Sequence, residues 1–521
     1  MPLTTHLPSK FPEQHDVHPV YARRWRQWRV NELSYIGGVE YLYPRGITFD
    51  WVRPVYVRGS DGIEREELPE RIILYSFLEP FPREPLWSYE QRRLSAAFRN
   101  LTGPVVDALA AFVQSKPVLR NAGGLRHLED MWNEASGDVD LRGSTMDEFM
   151  REGLRCALNF GLVHCVADWP AGRPGAVRTL RDEKELRLRP YARWVGPLQL
   201  PRWKHDHLGR LVMAEVLEAD VREDPDDPWM IKERPPLSRI WTEDRWELRE
   251  SGSAGRLLAE GEHAYGRVPI ETLYCRRHTG EPMLGVTPVD DIVRLNQRIF
   301  NLDSEIGVLE KAQYAFLAVP GGEKLGRLEL GTWDAFAVPE GAALPAYISP
   351  PADNIRVLRE TVVDLGLQIR ARAGLSRGVA EQSIAARSGD ALLVEAIERT
   401  NVVVALSQEA RDFEVRFARL IGATVGGEFA GSVRYPDSYD LETFGEKLDA
   451  ATKLLALPIP EAAKQAVLDE LWRARLRHLP EERVEAIEAE AAASARLALP
   501  LALPPGRPVE EPAPPAEEPA A

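Results

Sequence analysis

The chain has 521 residues, and 65 Lys+Arg against 80 Asp+Glu give it a formal charge of −15. Hydrophobic residues at 44% and charged residues at 28% are ordinary globular proportions, which excludes a wholly disordered or fibrous chain and sets a prior of several domains. Three cysteines, Cys156, Cys165 and Cys275, are too few for a disulfide framework and lack zinc-site spacing, and the acidic balance argues against a dedicated high-affinity DNA binder.

The opening MPLTTHLPSKFPEQHDVHP has no apolar core of the kind a signal peptide needs, and no apolar run reaches membrane-spanning length, so a reducing compartment and no membrane partner are expected. The first stretch, to about residue 180, reads as mostly helical. Tyr21, Trp25 and Trp28 fall on one helical face, and Gly37-Gly38 ends that helix. A second helix is expected from Ser88 to Gln114, with Leu94, Phe98 and Leu101 sharing a face and Gly103-Pro104 splitting it. The third runs from Ser144 to Phe160, capped by Ser144 or Thr145, and is followed by a short β-like segment, Leu162 to Asp168. Residues 186 to 275 then change character: Val212, Ala214 and Val216 share one strand parity, Trp246 and Leu248 another, and clusters such as Asp224-Pro225-Asp226-Asp227-Pro228 separate the runs.

From Thr287 the periodicity is strongest. Thr287 suits an N-cap and Pro288 the first helical position, and Val289, Ile292, Leu295, Ile299, Leu302, Ile306 and Leu309 repeat every three or four residues. A compact β-like stretch from Tyr314 to Pro351 precedes a helix to about Arg372, whose apolar seam is Leu358, Val362, Leu365 and Ile369. On another side Arg356, Glu360, Asp364, Gln368 and Arg372 are four apart, a continuous polar stripe. Residues 373–388 are loop-like; a long helix follows from Ser388 to Gly422, then helical segments near 440–455 and 460–492, and a disordered Pro/Ala/Glu tail. The fold class expected is α+β, predominantly helical.

Chemistry-bearing motifs are scarce. The chain has no phosphate loop, dinucleotide fingerprint or nucleophile elbow. His164, Cys165 and Asp168 lie close together, but adjacent strand residues point apart, which favours a buried structural role. His205 and His207 could share a strand face as metal ligands, yet no third ligand stands nearby, and a solvated turn is the expectation. Asp290 and Asp291 fit dipole compensation at a helix start. The segment Arg23-Arg24-Trp25-Arg26-Gln27-Trp28-Arg29 interleaves basic and aromatic residues, so one reading is a nucleic-acid surface; a helix that buries both tryptophans gives the same pattern and is favoured. No catalytic residue, metal site or cofactor is expected, and the chain is not expected to be an enzyme.

Five blocks, in order, resemble the tailed-bacteriophage portal proteins of siphophage type: HPVYARRWRQWRVNELSYIGGVEYLYP (18–44), YEQRRLSAAFRNLTGPVVDAL (89–109), residues 125–170 ending in Asp-Trp-Pro, GVTPVDDIVRLNQRIFNLDSEIGVLEKAQYAFLAVPG (285–321) and EQSIAARSGDALLVEAIERTN (381–401). The resemblance implies a homo-oligomeric ring, usually of about twelve subunits, at one capsid vertex, through which double-stranded DNA passes without being tightly bound. It implies a virion location with assembly in the host cytoplasm, and as partners a terminase motor, a head–tail adaptor, and capsid and scaffold proteins. Mapped on this chain it gives an N-terminal helical wing region at 1–185, a β-rich wing module at 186–286, stem helices at 287–311 and 353–372 flanking a small α/β clip at 312–352, and a tunnel loop at 373–388. The long wing helix and following segment would occupy 389–439, a helical crown 440–495 and the disordered tail 496–521. Arg377, Glu381 and Arg387 would then belong to the tunnel loop, Trp333 and Phe336 to partner contacts or to the clip's own core, and the 356–372 stripe would face solvent, a neighbour or the lumen.

Overall fold

The computed structural model describes residues 17–45, 47–58, 64–81, 84–133, 137–169, 189–219, 236–250, 255–312, 316–318, 346–348, 353–374, 389–424, 427–436 and 439. The chain divides into two units, Met1–Tyr439 and Asp440–Ala521, and every described residue belongs to the first. The expected crown at 440–495 and tail at 496–521 lie outside the described residues. The fold is mixed helix and sheet, in agreement with the α+β class.

Helix α1 (Pro19–Ile36) starts on His18, whose Nδ1 accepts from the Val20 amide at 3.2 Å and whose ring stacks on Trp203 at 4.0 Å; Pro19 supplies a preset φ at the first helical position. It ends at Gly37, at φ +67°, where a Cβ would lie 2.6 Å from Asn100. After the short α2 (Gly38–Leu42) come β1 (Phe49–Arg58) and β2 (Glu64–Leu74), an antiparallel two-stranded hairpin with Phe49 opposite Leu74 and Arg58 opposite Glu64. This hairpin lies inside the stretch expected to be mostly helical. Its strands are rich in charge and each carries a proline, so alternation is broken, and the register that sets Arg53 opposite Glu70 exists only once the strands pair.

The second expected helix is two: α3 (Leu86–Ser95) and α4 (Thr102–Val113). Gly103 and Pro104 lie in the first turn of α4 and do not split a continuous helix, because proline's missing amide is harmless there. Phe98 sits in the break and stacks on Tyr41 at 3.6 Å, while Leu94 is 68% exposed, so the shared Leu94–Phe98–Leu101 face does not form. After β3 (Leu119–Asn121) and α5 (Arg126–Trp132), helix α6 (Met146–Phe160) begins in a reciprocal capping box of Thr145 and Glu148 and ends at Gly161, at φ +90°.

β4 (Leu162–Asp168) is the central strand of a three-stranded antiparallel sheet, flanked by β5 (Tyr191–Val195) and β11 (Ile270–Tyr274). Between those flanking strands the chain forms a five-stranded meander of β6 (Arg202–His205), β7 (Leu211–Glu218), β8 (Leu237–Trp241), β9 (Arg245–Glu250) and β10 (Leu257–Glu262). Then follow α7 (Val289–Ala312), the paired short strands β12 (Phe316–Ala318) and β13 (Ala346–Ile348), α8 (Asp353–Arg372), α9 (Gly389–Thr424) and β14 (Ser432–Arg434), which pairs with β3. Helix α9 runs past Gly422, the expected stop. A Cβ at Gly422 would lie 2.9 Å from the Gly427 carbonyl, so the glycine serves a close approach and not a cap.

One large core joins α1, α4, α6, α7, α9 and the sheets, and Trp28, Trp241, Phe413 and Phe417 are fully buried within it. A smaller core gathers Tyr41, Phe77, Leu78, Tyr89 and Phe300 around the root of the β1–β2 hairpin. Two buried ion pairs clamp the periphery. Arg92 binds Glu84 through Nε at 3.0 Å and Nη2 at 2.7 Å and lies 4.0 Å from the Phe81 ring. Arg120 binds Glu414 through Nε at 2.7 Å and Nη2 at 3.0 Å, and the Tyr435 hydroxyl donates to the same carboxylate at 2.6 Å. A very close backbone crossing is that of Gly161 with Gly285, where a Cβ on Gly285 would lie 1.9 Å from the Gly161 carbonyl oxygen. Gly285→Ala is expected to cost about 1–3 kcal/mol, seen as a lowered thermal or urea midpoint.

Candidate functional site

The feature that stands out for function is the pair α7–α8 and the strands between them. Three consecutive carbonyls at the end of α6, which no intrahelical amide reaches, set the position of α7. Leu158 accepts from the Thr287 hydroxyl, Asn159 from Asn31 Nδ2 at 2.8 Å, and Phe160 from Trp28 Nε1 at 3.1 Å. Thr287 Oγ1 also accepts from the Val289 amide at 3.1 Å, the N-cap that the sequence suggests. In the first turn of α7, Asp290 accepts from Arg24 at 2.7 Å and Asn31 at 2.8 Å, so α1, α6 and α7 share one polar joint.

Helix α8 packs antiparallel on α7, burying Ile355, Val362, Leu365 and Ile369. Both ends are clasped: Arg372 meets Asp291 at 2.6 Å, and Arg359 meets Glu310 at 2.5 Å. The sequence gives no sign of Arg359 as a clasp, because its partner is 49 positions away on another helix. Between the two helices the chain leaves and returns as the antiparallel pair β12–β13.

The stripe lies where its spacing puts it, and Arg356, Glu360, Asp364, Gln368 and Arg372 are all exposed. Within it Arg356 approaches Glu360 at only 3.5 Å, and Gln368 donates to Asp364 at 2.8 Å. The same outer face carries Val357 and Val363, 53% and 63% exposed, and forms part of a shallow groove of about 790 Å³ lined by Glu310, Arg356, Arg359, Glu360, Val363 and Leu367, among others. Arg377, Glu381 and Arg387, and also Trp333 and Phe336, lie outside the described residues.

The remaining candidates resolve into structural roles. Trp25 and Trp28 are buried and offer no ring to a base. The surrounding arginines are engaged as well: Arg23 with Glu281 at 3.2 Å, Arg24 with Asp290, Arg26 with the Thr48 carbonyl at 3.1 Å, and Arg29 with Glu32. The stacking surface that a nucleic-acid reading of residues 23–29 needs is therefore absent from this segment. His164 is fully enclosed on β4 and shares a 2.9 Å hydrogen bond with Thr272; burial pushes its pKa down to about 3, keeping it neutral. Burial likewise pushes the Cys165 thiol well above its ordinary range, away from a thiolate. Asp168 accepts from the Tyr191 hydroxyl at 3.0 Å, and burial raises its pKa. These three residues thus face separate partners. His207 is exposed in the turn organised by Asp206, and no group of metal-ligating residues occurs among the described residues.

No family model and no curated protein matches this chain. Among solved structures, a chain from the neck of an empty gene transfer agent particle, computed with C6 symmetry, aligns at 13% identity over 73% of this chain and 93% of its own length, with a TM-score of 0.41. A chain from the virion of a native gene transfer agent particle aligns at 12% identity over 71% and 88%, with a TM-score of 0.37. One from the neck of a native particle, computed with C12 symmetry, aligns at 11% identity over 70% and 89%, with a TM-score of 0.40.

The neutral His164 makes stability depend on pH. Its folded pKa of about 3 lies below the unfolded value, so stability present above about pH 6.5 is lost as pH falls towards 3. Between pH 7 and 5, His164→Gln is expected to lose less stability than the native chain by on the order of 2 kcal/mol, checked by urea midpoints at the two pH values.

Proposed function

We propose that this chain is a structural subunit of a ring-shaped portal at the head–tail connection of a phage-like particle, a conduit for double-stranded DNA during packaging and ejection, with no catalytic role. The observation that carries the reading is the clasped antiparallel pair α7–α8, which brackets an excursion opened and closed by β12–β13. A channel wall with a protruding docking surface needs that arrangement: long rigid helices for the wall, and a chain segment that leaves them and returns beside its exit. The ordered portal-like blocks in residues 18–401 support it from the sequence.

The charge fits a conduit. Phosphate contacts through many cations give tight, salt-sensitive binding that would resist sliding, whereas a chain of net charge −15 with dispersed arginines lets DNA pass. In this reading the terminase motor and the head–tail adaptor dock on the excursion at 312–352, with capsid and scaffold proteins around the ring, at the capsid vertex of a virion assembled in host cytoplasm. The sequence's rival, nucleic-acid binding through residues 23–29, is disfavoured by burial of both tryptophans.

Mass in solution tests the proposal directly. Twelve chains of 58.5 kDa make an assembly of about 0.7 MDa. A large ring seen by mass photometry or negative stain supports the reading; a strict monomer at high concentration overturns it. Arg377→Ala with Arg387→Ala is expected to impair DNA packaging while leaving rings intact, and unchanged packaging removes the tunnel-loop assignment.

A further inference from the structure

The outer faces of α7 and α8 carry an unmatched set of charges. Arg294 and Arg298 on α7 are exposed, one helical turn apart, and neither makes an ion pair among the described residues. Glu360 and Asp364 on α8 are exposed at the same spacing. Among the described residues Glu360 has only the long 3.5 Å contact with Arg356, and Asp364 only the neutral Gln368. Residues four apart on a helix lie about 6 Å from each other, so the basic pair and the acidic pair are matched in pitch as well as in sign.

Apolar surface accompanies the acidic pair. Val357 and Val363 flank it at 53% and 63% exposure, and Leu367 lies one turn beyond Val363. β-branched residues gain nothing on the solvent side of a helix, where straight-chain polar residues are better helix formers, so this surface is one that gains from being covered.

We infer that the Glu360–Asp364 face of α8 docks on the Arg294–Arg298 face of α7 in a second copy of this chain, with Val357 and Val363 buried between them. The occupant is a second copy because the complementary charges, at matching spacing, are on this chain itself. Complementary charges of this kind set partner choice and register more than raw affinity. The inference rests on the ring reading and specifies which surfaces of the subunit meet.

Charge reversal on the full chain tests it, with assembly read by mass photometry and folding by the thermal midpoint. The double variants Arg294→Glu with Arg298→Glu, and Glu360→Arg with Asp364→Arg, are each expected to lower the assembled fraction at fixed concentration about tenfold or more, with the midpoint remaining at that of native chain diluted until it dissociates. The quadruple variant, carrying all four reversals, is expected to return to within about threefold of the native level, because the pairing is restored with its signs exchanged. Should a reversal unfold the chain, Glu360→Gln with Asp364→Asn keeps the shape and gives the same readout. Native chain that assembles while both double variants assemble equally well overturns this contact and leaves the ring reading standing. Loss in both doubles without recovery in the quadruple also overturns it. A native chain that never assembles removes the ring reading itself.

Discussion

The structure hangs on the end of α6. A helix leaves its last carbonyls without amide partners, and burying them unpaired costs about 1–3 kcal/mol each. Here Leu158, Asn159 and Phe160 each receive a side-chain donor, and the donors come from two other helices: Trp28 and Asn31 from α1, Thr287 from the start of α7. One local deficit thus orients three helices. The Gly161–Gly285 crossing is part of the same joint, since only two glycines let the chain leaving α6 pass so close to the chain entering α7.

From this joint α7 runs for 24 residues, and α8 returns along it. The pairing is apolar along its length and ionic at both ends, by Asp291–Arg372 and Glu310–Arg359. Exposed pairs of this kind add little stability, typically below about 1 kcal/mol each. They fix which residues lie opposite one another, and so fix the outer face that α8 presents. Arg92–Glu84 and Arg120–Glu414 act differently. They are buried, so removing one partner would strand a charge in the interior, which makes them sensitive points of the fold.

Much of this was legible in the chain. The helix from Thr287, the cap at Thr145, the β-character of Leu162–Asp168 and the seam Val362–Leu365–Ile369 follow from period and capping chemistry, both of which act within a few residues. The outer stripe of α8 was visible for the same reason. What escaped depends on contacts distant in sequence. The β1–β2 hairpin exists only through pairing of two strands far from any apolar alternation, with Arg53 opposite Glu70 in register, and neither strand announces itself alone. Phe98 looked like a helix-face residue and is a loop residue recruited to the small core. Gly422 looked like a stop and is a packing glycine inside α9.

The sequence by itself determined the local periods: which segments are helical, where the strongest caps lie, and that the basic–aromatic stretch at 23–29 is amphipathic. It also determined the composition that keeps the chain acidic and poor in catalytic motifs. Only the tertiary structure decided what those faces meet. Trp25 and Trp28 turn inward, and Trp28 caps a helix end 132 residues away. Arg24 and Asn31 serve the first turn of α7 instead of solvent. The reason is physical: a helix period says which residues share a face, but the partner of that face is chosen by unsatisfied carbonyls and buried charges elsewhere in the chain.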